Sequence, residues 1–175
     1  EPVNFFWPDL ELDMKNLAQD FLDEELDDEA AKVLIEIEKG FCSAETFRNL
    51  GVKYNDGRNV IRNWPKGCRY MEQAYRLGSR SIRRGDYLMM ASYHHYDVEE
   101  GRRYGLYRDM YLAAFWYKKM SEIDRYGIPH LASAFLEKEI RNYELAYRLV
   151  IDTLEEFARS QYIMGVMYEF GIYVL

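Results

Sequence analysis

Three segments of this chain open alike: Arg62-Asn63, Arg108-Asp109 and Arg141-Asn142, spaced 46 and 33 residues apart. An Asn or Asp at such a point suits the cap of a helix, because its side-chain oxygen accepts a first-turn backbone N–H that has no partner within the helix. Superposing the three starts aligns Gly67, Ala113 and Ala146, then Tyr70, Trp116 and Leu149, then Ala74, Met120 and Thr153. Small residues let two helices approach closely, and large ones fill the space beside the crossing. A period in this range predicts a stack of helix pairs. Partner helices are predicted over Ser79–Tyr93, Pro129–Glu139 and Ser160–Phe170, with Gly78 and Gly127 breaking the chain before two of them and Pro129 suited to a first turn. The longer first spacing predicts an insertion, placed in the Glu-, Arg- and Gly-rich stretch Asp97–Gly105.

Composition agrees with an all-α reading. The chain has 175 residues, 49% hydrophobic and 30% charged, enough for a core without disulfide staples and too apolar for a disordered chain. Only four prolines occur, against 16 tyrosines, which suits helices with large amphipathic side chains at their seams. The longest apolar run, Met110–Tyr117, is far too short to span a membrane, so no transmembrane segment is expected. Two cysteines, Cys42 and Cys68, form no CxxC pattern and predict no structural zinc; their spacing does not demand that they pair.

The net charge of −7 is unevenly spread. Residues 1–40 hold 13 acids and three bases, while residues 41–175 carry a small basic excess. The acidity argues against nucleic acid as a partner. Pro2–Pro8 reads as an extended arm carrying Phe5, Phe6 and Trp7, followed by a helix from about Asp9 and another over Asp28–Lys39. A short third helix is expected, capped by Ser43 and closed by Gly51, with Asn55-Asp56-Gly57 as a turn. Residues 1–58 carry no convincing repeat and read as an arm with an acidic helical cap; residues 59–175 read as the repeats.

Ser160-Gln161-Tyr162-Ile163-Met164-Gly165-Val166-Met167-Tyr168-Glu169-Phe170-Gly171 resembles the first helix of the Sel1-like repeat, a relative of the tetratricopeptide repeat. Arg69–Ser79, with Glu72, Ala74, Tyr75 and Gly78, resembles its second helix, and Asp109–Met120, with Ala113, Trp116 and Tyr117, resembles it again. The resemblance covers Asn59–Leu175. It departs at Ser79–Tyr93, which lacks the Leu-Gly pair, and at Thr153, where a small apolar residue is expected. The resemblance implies a right-handed superhelix of stacked helix pairs, an α-solenoid whose first helices line a concave face that holds other proteins. An array reaching Leu175 after a first helix calls for a cap, either Tyr173-Val174-Leu175 or further chain.

No GxSxG, GxGxxG or Walker-type loop is present, and no cofactor is expected. His94 and His95 are adjacent and followed by Asp97; neighbours on a helix point about 100° apart and suit a shared metal poorly. His94 instead suits a polar contact in a groove, and His130 suits local capping. The acid pairs Glu99-Glu100 and Glu155-Glu156 diverge in the same way. Arg76, Arg80, Arg83 and Arg84 form the most basic stretch, and guanidinium groups grip carboxylates in bidentate fashion. Tyr70, Tyr75, Trp116, Tyr117 and Tyr147 fall on second helices and read as seam residues. Tyr87, Tyr93, Tyr162 and Tyr168 fall on first helices, with either packing or recognition open to them; Tyr168 matches the family's structural aromatic. The predicted partner-binding face is Arg80, Arg83, Arg84, Tyr87, Tyr93 and His94.

The expected function is non-catalytic protein binding. The resemblance narrows it to an immunity protein that neutralises a secreted bacterial toxin of the type VI, lipase-like kind, an acidic protein blocking a basic cleft. A chain that begins with Glu1 rather than Met fits either removal of a leader or a trimmed start; a periplasmic location is expected, with a cytoplasmic one as the alternative. The alternatives are an adaptor or signalling scaffold in the cell envelope and, in another class, a repeat-domain hydrolase of β-lactamase-like type.

Overall fold

The computed structural model describes residues 32–33, 35–36, 39, 42–58 and 60–173. Among them run eight helices and no strand: α1 Ala44–Asp56, α2 Trp64–Arg76, α3 Arg84–Tyr96, α4 Glu99–Arg102, α5 Met110–Ile123, α6 Gly127–Ala134, α7 Tyr143–Thr153 and α8 Ala158–Glu169. The chain is all-α. Lys32, Val33, Ile35 and Glu36 are helical too, within the stretch predicted over Asp28–Lys39. The Pro2–Pro8 arm, the helix from Asp9 and most of the acidic segment lie outside the described residues. No helix among the described residues is long and apolar enough to cross a membrane. The helices fall into two units, one ending at Ile82 and taking in Glu99–Leu106, the other formed by Arg83–Val98 and the residues from Tyr107 on.

The three predicted caps are formed. The side-chain oxygens of Asn63, Asp109 and Asn142 accept the backbone N–H of Lys66, Leu112 and Leu145, each at 3.0 Å. The backbone N–H of each cap residue also donates backwards, at 2.9 Å, to the carbonyl of Tyr54, His94 and Phe135 respectively. Each accepting carbonyl lies at the end of a preceding helix that packs against the capped one: α1 against α2, α3 against α5, α6 against α7. One backbone staple thus closes three hairpins, and it satisfies a carbonyl that a helix end would otherwise leave unbonded.

The staple also fixes register. Three residues before each stapled carbonyl stand Gly51, Ala91 and Ala132, facing hairpins whose second helices carry Gly67, Ala113 and Ala146; all six are buried. The α1–α2 crossing is tight: a Cβ on Gly67 would run into the Asn55 side chain and sit 2.9 Å from the Gly51 carbonyl oxygen, and one on Gly51 would sit 3.1 Å from that of Gly67. Gly51 therefore does not end its helix as expected. α1 runs on to Asp56 and is closed by Gly57 at φ 69°, a left-handed conformation that glycine adopts without strain.

In the first unit Val33, Phe47, Leu50, Tyr54, Val60, Tyr70 and Ala74 form one core, with Tyr70 stacked against Phe47 and Tyr54 at 6.0 and 5.7 Å. In the second unit α5 packs also on α6, and α8 on both α7 and α6. Its core includes Trp116, Tyr117, Met90, Met110, Met120 and Met167, all essentially inaccessible. Tyr117 belongs to the predicted seam set, as does Tyr70, whereas Tyr75 and Tyr147 are only half-buried.

The partner helices are shifted from their predicted bounds. α3 starts at Arg84 because Gly78, at φ 87°, turns the chain, and the Ser79 hydroxyl then bonds Glu45 at 2.9 Å while accepting the Ser81 N–H. α6 ends at Ala134 because the chain turns there to bring Asn142 back to Phe135. The insertion is where the spacing predicts it. It contains α4, and residues 99–106 fold into the first unit, where the Tyr104 hydroxyl accepts a 2.6 Å bond from Asn63 Nδ2.

Candidate functional site

The predicted binding residues divide by burial. Arg80 is exposed in the first unit; Arg83 and Arg84 are exposed at the start of α3 in the second. Tyr87 and Tyr93 are 8% exposed and His94 is 3% exposed, leaving them little surface for a partner. The reason is periodicity: Tyr87, Met90, Ala91 and His94 occupy one face of α3, which packs on α5, with Tyr87 6.1 Å from the Trp116 ring. His94 Nδ1 lies 2.9 Å from the Tyr107 carbonyl oxygen, a polar contact that ties α3 to the start of the next segment. Arg84 is engaged by Asp124 at 2.8 Å and lies 5.5 Å from the Tyr126 ring centre, and the Arg83 N–H donates to Asp86. The four first-helix tyrosines separate likewise: Tyr162 and Tyr168 are 72% and 59% exposed, so Tyr168 does not pack as the family pattern implies.

The other histidines form a closed aromatic and polar cluster in the second unit. His95 Nδ1 is 3.1 Å from the Tyr117 hydroxyl, and its Nε2 is 3.3 Å from Glu137 Oε1. Arg108 bonds Glu137 and Glu139, both at 2.9 Å. His130 caps nothing. It is buried against Tyr117, 5.5 Å between ring centres and nearly parallel, with the Tyr126 ring edge-on at 5.1 Å, and its Nε2 makes no hydrogen bond among the described residues. Burial, reinforced by the nearby Arg159 guanidinium, lowers the His130 pKa to about 4. Burial also lowers that of His95, with Glu137 opposing. Desolvation pushes the Tyr117 hydroxyl upward. These are neutral rings held in an interior, an arrangement suited to packing and sensitive to acid.

An open groove lies in the first unit, where α2 begins. It measures about 440 Å³ and is lined by Arg62, Asn63, Trp64, Pro65, Glu100, Arg103 and Tyr104. Asn63 and Tyr104, two of the lining residues, are joined by their 2.6 Å hydrogen bond. The Arg62 guanidinium lies 5.6 Å from the Trp64 ring centre and donates at 3.1 Å to the Asp56 carbonyl. Trp64 is half exposed, and Arg62 and Arg103 are exposed. Two guanidinium groups beside one carboxylate and two aromatic rings suit a carboxylate-bearing segment that also offers a flat or apolar surface. Sequence reasoning passed over this site because its residues stand about forty positions apart and meet only when the insertion folds onto the α2 cap. The available signal was the aromatic and arginine content of residues 102–108.

Two thiols are present, Cys42 and Cys68, and both are free. Burial, with the Glu36 carboxylate nearby, pushes the Cys42 thiol up to about 11, which favours the protonated thiol at neutral pH. A scan against family models finds no match, and a search of curated proteins finds no significant relative.

Proposed function

We propose that this chain is a non-catalytic protein-binding module built from Sel1-like helical hairpins. The observation that carries the reading is the staple shared by the three hairpins, with small buried residues at the same register in each. Helix pairs repeated in this way make extended surfaces and act by contact. The groove beside Trp64 supplies a defined grip for an acidic segment of the partner. Within this class the narrower proposal is an immunity protein that neutralises a secreted bacterial toxin of lipase-like type, acting from the periplasm. The right-handed superhelical path belongs to the same proposal.

The test begins with a partner captured from the native organism by the purified chain, then purified and titrated against it by calorimetry. Arg62→Glu with Arg103→Glu should weaken that complex roughly tenfold or more, the scale of losing charge-assisted contacts. Unchanged affinity removes the groove from the proposal. For the narrower reading, cells expressing the captured partner should stop growing and be rescued by co-expression of the chain. A partner that is harmless when expressed alone points to an adaptor instead.

A further inference from the structure

Arg159 ties three helices of the second unit together. From α8 its Nε donates to Ser133 Oγ on α6 and its Nη2 to the Tyr96 hydroxyl on α3, both at 3.4 Å, the long limit of a hydrogen bond. The side chain is half-buried and pairs with no carboxylate among the described residues. Arg84, Arg108 and Arg125 of the same unit differ in this, each holding an acid at 2.6–2.9 Å. Beyond Arg159, α8 seals the apolar cluster of Ala132, Val150, Ile163, Met164 and Met167.

Three residues before Ser133 on α6 stands His130, 6% exposed, its Nε2 without an acceptor among the described residues. The groups that face it are Tyr117 from α5, Tyr126 from the turn before α6, His95 from α3 and Arg159 from α8. No charged group of α7 acts on it, and Glu137, just past α6, is bonded to His95 and Arg108. Every charge that reaches His130 is therefore positive or becomes so in acid. A buried imidazole with no acceptor is stable only while neutral. A proton on it sets a second cation near the guanidinium, in an interior that supplies no counter-ion. The two long bonds of Arg159 are the weakest restraint there. His95 is not the trigger, because Glu137 Oε1, 3.3 Å from its Nε2, receives a proton placed on that atom.

We propose that His130 is an acid-operated latch on α8: its protonation expels the Arg159 guanidinium, parts α8 from α6 and opens the apolar seam of Ala132, Ile163 and Met167. The latch lies wholly within the second unit and depends neither on the groove nor on the protein-binding proposal. Its direction follows from the folded-state pKa of His130, about 4 against an ordinary 6.5. The closed state is favoured above about pH 6.5 and loses ground as pH falls, by a factor approaching tenfold per pH unit until about pH 4.

Amide hydrogen exchange of the full chain at pH 7, 6 and 5 reads each helix separately, and protection factors remove the intrinsic pH dependence of exchange. Protection over α8 should fall roughly tenfold or more between pH 7 and pH 5, while that over α3 and α5 holds. Binding of an apolar dye should rise in step. His130→Gln, which stays neutral, should abolish the fall, and His130→Phe repeats the test if the glutamine variant does not fold. Arg159→Met should lower α8 protection already at pH 7 and flatten its pH dependence, since both the tie and the repelling charge are gone. Protection over α8 that is constant from pH 7 to pH 5 overturns the proposal. So does a fall shared equally by α3 and α5, which is unfolding of the whole unit, or a fall that persists in the His130 variants.

Discussion

α1 and α8 carry nearly the same residues on their matching faces but differ in whether those residues are buried. In α1, Gly51 is pressed against a second helix and Tyr54 is buried; in α8, Gly165 and Tyr168 face outward. The local sequence sets which residues lie on the hairpin face of a helix. Whether that face becomes core or surface depends on the helix that follows. The same glycine is a packing requirement in one place and an exposed interruption in the other.

Four measurements would sharpen or break this contrast. The largest effect is expected at the aromatic position. Tyr54→Ala should destabilise the first unit by about 3–5 kcal/mol in urea unfolding, as for other buried aromatic truncations, while Tyr168→Ala should stay within about 0.5 kcal/mol. Equal costs would show that α8 is covered after all.

Acid should separate the two units next, since all three histidines belong to the second. The folded-state pKa of His130 is held below its unfolded value near 6.5, at about 4, so the unfolded chain binds more protons between these values. The stability this provides is full above about pH 6.5 and is lost as pH falls towards 4, by about 3 kcal/mol at most. His130→Phe should flatten the loss of second-unit stability between pH 7 and 5. An unaltered slope assigns the acid response to other groups, with His95 the first to examine, since its pKa is lowered in the same direction.

A smaller effect is expected at the crossing. Gly67→Ala should destabilise by about 1–3 kcal/mol although alanine is the better helix former, because its Cβ would press on the Asn55 side chain and on the Gly51 carbonyl. Smallest and opposite in sign, Gly165→Ala should stabilise the isolated chain by about 0.5–1 kcal/mol, read as a higher urea midpoint. Destabilisation at Gly165 would mean that the open face is occupied within the chain itself.

Much of the hairpin architecture is legible in the sequence. Ser43, Asn63, Asp109 and Asn142 cap helices because short polar side chains reach first-turn N–H groups, a local interaction. The small positions Gly67, Ala113 and Ala146 and the insertion at Asp97–Gly105 follow from aligning those caps. α1 was hidden as a member of the repeat because Gly51 reads as a helix stop when its neighbours are unknown. His130 reads as a cap because Pro129 places it in a first turn, yet the rings of Tyr117 and Tyr126 enclose it. Of the predicted binding set, the arginines are on the surface, since charge is costly to bury, whereas Tyr87, Tyr93 and His94 are amphipathic enough to go either way.

By itself, then, the sequence determined the helical class of the described residues, the three capped starts and the small positions that follow them, because caps, periodicity and small-residue spacing act within a turn or two of chain. Only the tertiary structure decided which inscribed faces are closed, which tyrosines are core, and that Arg62, Trp64, Arg103 and Tyr104 share a groove. Burial depends on what packs from elsewhere in the chain, and no local pattern records the arrival of a distant segment.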